Sequence, residues 1–140
     1  MTAAPHNPTI IQNCEVSIDG KTYGAAIDSA IAQPTYVTHK WKGVNGKAAT
    51  RVGALDWTVA LNLGQDFNDG SLLQELIDRH GESAEIILSP TGVGTGQPTI
   101  TGTVTLAAVT DLGGKVDEMA VTGTTLAFEG KPVIVWGTAA

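Results

Sequence analysis

Between Ala54 and Ser89 the hydrophobic period of this 140-residue chain changes from two residues to about 3.6 and back, so a strand, a short helix and a strand follow one another directly. Leu55, Trp57, Val59, Leu61 and Leu63 alternate with Asp56, Thr58 and Asn62, the pattern of a strand with one buried face. A register slip of one residue would bury Asp56. Leu72, Leu73, Leu76 and Ile77 then share one side of a helix predicted from Ser71 to His80, with Gln74, Glu75, Asp78 and Arg79 around the rest. Asn68 or Ser71 is placed to cap it, with Gln74 three residues after Ser71; an Asn68 cap would set Phe67 against Leu72 as a staple. Arg79, His80 and Gly81 suit its C-terminus. Ten helical residues rise only ~15 Å and are too few to be stable alone. The leucine stripe therefore predicts a lid over the edge or mouth of a sheet structure.

The rest of the chain supplies the strands. Seventeen glycines, 18 threonines and only 16% charged residues favour many strands and turns over a helical bundle. One mainly β domain over residues 1–140 is expected, a β-sandwich or partial barrel with one short α-helix, with an arm at 1–8 and a tail at 137–140. Thr9 to Ile18 alternates, with Ile10, Cys14, Val16 and Ile18 on one face, and Asp19-Gly20 signals a tight turn. Gly24 to Pro34 is either a helical turn stopped at Pro34 or a connecting strand. Thr35 to Trp41 forms a strand, and residues 42–53 form a long loop carrying Lys42, Lys47 and Arg51. Pro90 to Pro98 is a Gly- and Pro-rich connector. Thr99 to Val109 and Ala120 to Phe128 are threonine-bearing strands expected to pair as a hairpin across the turn at Asp111 to Asp117. A turn at Gly130 to Pro132 leads into a short apolar run, Val133 to Trp136.

Eight basic and 14 acidic residues give a net charge of −6, which argues against a surface that grips nucleic acid or anionic lipid by neutralising phosphates. No run approaches 18 apolar residues, and Cys14 is the sole cysteine, so a soluble protein folded in a reducing cytoplasm is expected, with no membrane partner. His6, His39 and His80 are far apart, with no second ligand at metal-binding spacing. His80 is expected at the helix C-terminus, His39 on a strand surface, His6 in the arm, and Cys14 as a small core residue. Asp66, Asp69 and Glu75 lack a calcium-loop pattern, and GVGTGQP lacks the strand and helix that would let it cradle phosphate. Neither a catalytic site, a metal nor a cofactor is predicted.

DWTVALNLGQDF, the helix SLLQELIDRHG, VTLAAVTDLGG, TTLAFEGKP and a short last strand are similar, in order and in the pieces Asp111-Leu112-Gly113-Gly114 and Glu129-Gly130-Lys131-Pro132, to major tail tube proteins of long-tailed bacteriophages. The resemblance covers about Thr35 to Val135; tube proteins of contractile tails and of secretion systems share that fold. It implies a virion structural protein, assembled in the host cytoplasm, with six copies per ring and rings stacked into a hollow tube whose inner barrel takes one sheet from each subunit. It implies other tail proteins as partners, such as tape measure and tail terminator, and DNA passing through without specific binding. The loop at 42–53, with Lys42, Lys47 and Arg51, would reach the next ring.

The residues themselves add a polar strand face of short groups. Asp56, Thr58 and Asn62, together with Thr38, Thr101, Thr103, Thr105, Thr122 and Thr124, are expected to line a bore that offers DNA little to hold. The alternative is a β-sandwich binding module for carbohydrate or adhesion, which needs exposed aromatics on one sheet face, whereas Trp41, Trp57 and Trp136 are dispersed. A small hydrolase lacks a nucleophile–base pair.

Overall fold

The computed structural model describes residues 3, 4, 9, 11 and 13–137. Among them are ten strands and one helix: β1 (Glu15–Ile18), β2 (Lys21–Thr22), β3 (Ile27–Thr35), β4 (Thr38–Lys42), β5 (Ala48–Val52), β6 (Asp56–Gly64), α1 (Leu72–Asp78), β7 (Ser83–Ser89), β8 (Thr99–Thr105), β9 (Val121–Phe128) and β10 (Val133–Val135). Eight strands form one antiparallel sheet in the order β2-β1-β7-β8-β9-β6-β3, with β10 also paired to β8, while β4 and β5 form a separate two-stranded sheet. His6, most of the expected arm at 1–8, and residues 138–140 of the tail lie outside the described residues.

The large sheet divides where β8 meets β9, which pair only at Val104↔Phe128 and Thr105↔Ala127. Val16 and Ile18 of β1, Leu61 and Leu63 of β6, Ile86 and Leu88 of β7, Val104 and Leu126 nevertheless belong to one buried cluster. The sheet therefore curls around its own core, one half facing the other, which is the expected sandwich or partial barrel. Leu72 and Leu76 of α1 complete that cluster, so the helix closes the core as a lid. Ser71 is its cap: its Oγ accepts from Gln74 N at 3.3 Å, and Gln74 Oε1 reaches back to Gly70 N at 2.7 Å. Phe67 is exposed, so the staple on Leu72 that an Asn68 cap would bring does not form. Asp19 and Gly20, at φ 50 and 83, make the two-residue turn between β1 and β2.

Several expectations are corrected. Residues 42–53 are not an irregular loop: Ala48–Val52 pairs with Thr38–Lys42 in a five-residue register, because Gly43 to Lys47 is a turn, with Gly43 N donating to Lys47 O at 2.7 Å. Of the two alternatives for Gly24 to Pro34 the strand is found: β3 runs from Ile27 to Thr35 after a turn at Gly24 to Ala26, with a bulge between Ile27 and Ser29, and Pro34 is tolerated because β3 is an edge strand. β6 begins at Asp56, leaving Leu55 half exposed. β9 pairs along its length with β6 rather than β8. Thr122 and Thr124 face the core, where Thr124 Oγ1 donates to Ala107 O at 3.1 Å and Thr122 Oγ1 accepts from Asp111 N at 3.2 Å. His80 does not serve the helix end with its ring; Nδ1 accepts from Ala108 N at 2.9 Å and ties the segment after β8 to the helix.

Arg79 joins the lid to the sheet. Its Nη1 lies 2.6 Å from Asp19 Oδ2 and 2.8 Å from Glu75 Oε1, and Glu85 N donates to the other Asp19 oxygen at 2.9 Å. The Glu85 N–H, followed by the Arg79 guanidinium, holds the Asp19 carboxyl below the usual carboxylate range. A depressed folded-state pKa stabilises the fold above the ordinary carboxylate value near 4, and that contribution is lost as pH falls through the lower value. Asp19→Asn keeps a residue that tolerates positive φ. Its melting temperature should fall below wild type at neutral pH and converge with it in acid; a deficit independent of pH would contradict the linkage.

Candidate assembly surfaces

The β4–β5 hairpin stands apart from the core. All ten strand residues are exposed, and its base is closed by Gly53 N donating to Val37 O at 2.8 Å. The register puts His39 and Arg51, and Trp41 and Ala49, on one face, with Lys47 beside them at the turn. Thr38, Lys40, Lys42, Ala48, Thr50 and Val52 share the other. Trp41 is 72% exposed, and Val44 at the tip is fully exposed. Half of the eight basic residues of an acidic chain, Lys40, Lys42, Lys47 and Arg51, lie here, and no acidic residue occurs between Thr35 and Leu55.

The second surface is the outer face of β3, β6 and β9. Val59, Leu61 and Leu63 point into the core, so alternation sends Asp56, Thr58 and Asn62 outward. Their cross-strand neighbours on that face are Thr35, Gln33 and Ser29 from β3, and Ala127 and Gly123 from β9. Asn62 Nδ2 donates to Asp28 Oδ2 at 3.2 Å. The face thus carries short polar or apolar groups and carboxylates, and none of its strands holds a Lys or Arg. Thr101, Thr103 and Thr105 lie on the other half of the sheet, opposite Ile87, Glu85 and Ser83 of β7, and Thr38 is on the hairpin. The threonines anticipated as one lining are therefore distributed over four settings, counting the two in the core.

A third surface borders α1, a groove of about 350 Å³ lined by Phe67, Leu73, Ile77 and Leu112 and edged by Asp66, Asp69 and Asp78. No sequence pattern marks it, because Leu112 comes from the distant segment after β8. That segment is pinned by Gln65, whose Nε2 donates to Gly113 O at 2.9 Å and whose Oε1 accepts from Gly113 N at 2.8 Å.

Among the described residues, no group of three His, Cys, Asp or Glu side chains is placed to hold a metal ion, and no helix is long and apolar enough to cross a membrane. Cys14 lies against the core, and burial, followed by the neighbouring Glu15 carboxylate, pushes its thiol pKa up, away from nucleophilic use. Trp41 in β4 and Trp136 after β10 are exposed and Trp57 in β6 is half-buried, so they do not make one aromatic platform.

Comparison with solved structures finds this architecture elsewhere. A chain in the extended-state sheath/tube terminator of an extracellular contractile injection system (PVC) matches 94% of this chain and 99% of its own, with 19% identity and a TM-score of 0.67. A chain in the tube-terminating cap of the anti-feeding prophage matches 98% of this chain and 97% of its own, at 18% identity and a TM-score of 0.68. A chain in the tail of an empty GTA particle matches 91% and 95%, at 13% identity and a TM-score of 0.63. This chain has a tail-tube-like fold. No protein-family model and no curated protein matches the sequence. The tail-tube-like fold is thus shared with injection-system and GTA-tail structures, a broader group than the long-tailed phages that the sequence pieces suggested.

Proposed function

We propose that this chain is a structural subunit of a tail tube, in which six copies form a ring and rings stack into a hollow conduit. The observation that carries this reading is a tail-tube-like fold matched over nearly the whole chain that also leaves a basic, Trp-bearing hairpin wholly exposed. One of the compared structures, the GTA tail, is described with sixfold symmetry, which supports the ring number. In this reading Lys42, Lys47 and Arg51 of the hairpin reach the adjacent ring. The outer face bearing Asp56, Thr58 and Asn62 lines the lumen. Tape measure and terminator proteins are its partners in the particle tail, DNA is the cargo, and assembly takes place in the host cytoplasm. Sedimentation velocity of the purified chain tests the reading: species far larger than one ring should grow with concentration, and a monomer at every concentration would overturn it. A second reading, a terminator that closes a tube, is favoured by the two compared structures described as terminator or cap, and it predicts sedimentation that stops at a single ring.

Wall charge gives a separate expectation. Six copies at −6 each carry about −36 per ring, and a conduit wall free of Lys and Arg gives phosphates nothing to release counterions against. Repulsion extends only ~8 Å at physiological salt, so it centres a duplex without blocking it. Asp56→Lys tubes should assemble normally but retain duplex DNA at low salt and release it as salt rises. DNA retention equal to wild type across the salt series would remove Asp56 from the lumen.

A further inference from the structure

We infer that the acidic-edged groove beside α1 is the seat for the β4–β5 hairpin of a second copy of this chain. The inference rests on the tube reading for its setting, but it is carried by two surfaces that are incomplete in one subunit and complementary to each other. A two-stranded hairpin is marginal in water by itself, and this one holds Trp41 and Val44 out to solvent. The groove is its counterpart: Phe67, Ile77 and Leu112 are exposed around an apolar floor at Leu73. Exposed apolar groups ringed by charge mark an interaction site.

Charge selects the occupant. Residues 65–78 carry four acidic groups and no basic one, whereas the hairpin carries four basic groups and no acidic one. Among the described residues, Asp66, Asp69 and Asp78 form no ion pair, and neither do Lys47 and Arg51. Lys21 near the start of α1 is committed to Gly70 O at 2.7 Å, and Arg79 after Asp78 to Asp19 and Glu75. Of the two hairpin faces, the one presenting Trp41 between Lys47 and Arg51 matches an apolar slot edged by carboxylates. Trp41 then enters the groove against Phe67 and Leu112, and Lys47 and Arg51 meet Asp69 and Asp78. Because the two surfaces differ, the contact is heterologous, and each copy keeps one free hairpin and one free groove, so it propagates from copy to copy.

Two variants of the full chain test this. Lys47→Glu/Arg51→Glu reverses the hairpin and spares the groove; Asp69→Lys/Asp78→Lys reverses the groove and spares the hairpin. Each alone should raise the concentration needed for assembly at least ~10-fold at low salt, and the chain carrying all four changes should return to within ~3-fold of wild type. Mixed, the two variants should co-assemble in equal proportion in sedimentation velocity at concentrations where neither assembles alone, since each variant's hairpin meets a groove of opposite charge on the other. Wild-type denaturant midpoints for both variants exclude misfolding as the cause. The inference is overturned if either variant assembles like wild type, if the fourfold chain is not rescued, or if the mixture does not co-assemble. Loss without rescue would assign the groove to a different partner. Co-assembly in the mixture while wild type forms no hollow tube would uphold the hairpin-and-groove contact and reject the tube.

Discussion

Leu76→Ala is expected to destabilise the subunit by about 3–5 kcal/mol, the upper part of the range for removing a fully buried leucine. Leu76 has no exposed surface and sits with Leu72 in the cluster that both halves of the sheet share. The seven residues of α1 cannot fold by themselves, so the cavity opens beneath an element that owes its order to that contact. Neither the cap at Ser71 nor the Arg79 ion pairs at its other end offset such a loss, because partly exposed pairs contribute little. Urea titration of the isolated subunit measures the effect. Asp78→Ala, exposed on the same helix, should stay within ~0.5 kcal/mol of wild type. A loss at Leu76 below ~1 kcal/mol would show that the helix is not the lid of this core.

Removing the hairpin should have the opposite signature, with stability preserved and assembly abolished. The bond from Gly53 N to Val37 O closes the base, so a two-residue turn in place of Thr38–Val52 leaves every strand of the large sheet paired. The smaller deletion of Asn45 to Thr50, which takes the turn and part of β5, should give the same result less cleanly. Denaturant midpoints of the deleted chain should match wild type within ~1 kcal/mol, since none of the removed strand residues is buried. Light scattering should detect no polymer at concentrations where wild type assembles fully. Normal polymers from the deleted chain would dissociate the hairpin from assembly.

The parts of the fold that burial imprints on sequence were legible. β6, α1 and β7 each present a one-sided apolar pattern to a single core, and their periods mark them without reference to the rest. β4 and β5 left no such mark, because a ribbon exposed on both faces has no side to keep apolar; Gly43, Gly46 and three basic residues then resemble loop composition. β3 was ambiguous for a related reason: its small residues, Ala30 and Ala32, pack on the core with little hydrophobic contrast. Thr122 and Thr124 show that residue type can mislead where spacing does not. They share parity with Leu126 and so share its buried face, their hydroxyls bonded to backbone between β8 and β9. By the same parity Asp56, Thr58 and Asn62 share one outer face. The groove was invisible, since Phe67 and Leu112 become neighbours only when Gln65 anchors the segment after β8.

Negative-stain electron microscopy of the purified chain at high concentration tests the proposed role most directly. Long hollow tubes or stacks of rings, sixfold in end view, are expected from wild type, and none from the chain lacking the hairpin. Fields of single small particles at every concentration, from a chain that melts cooperatively, would contradict it.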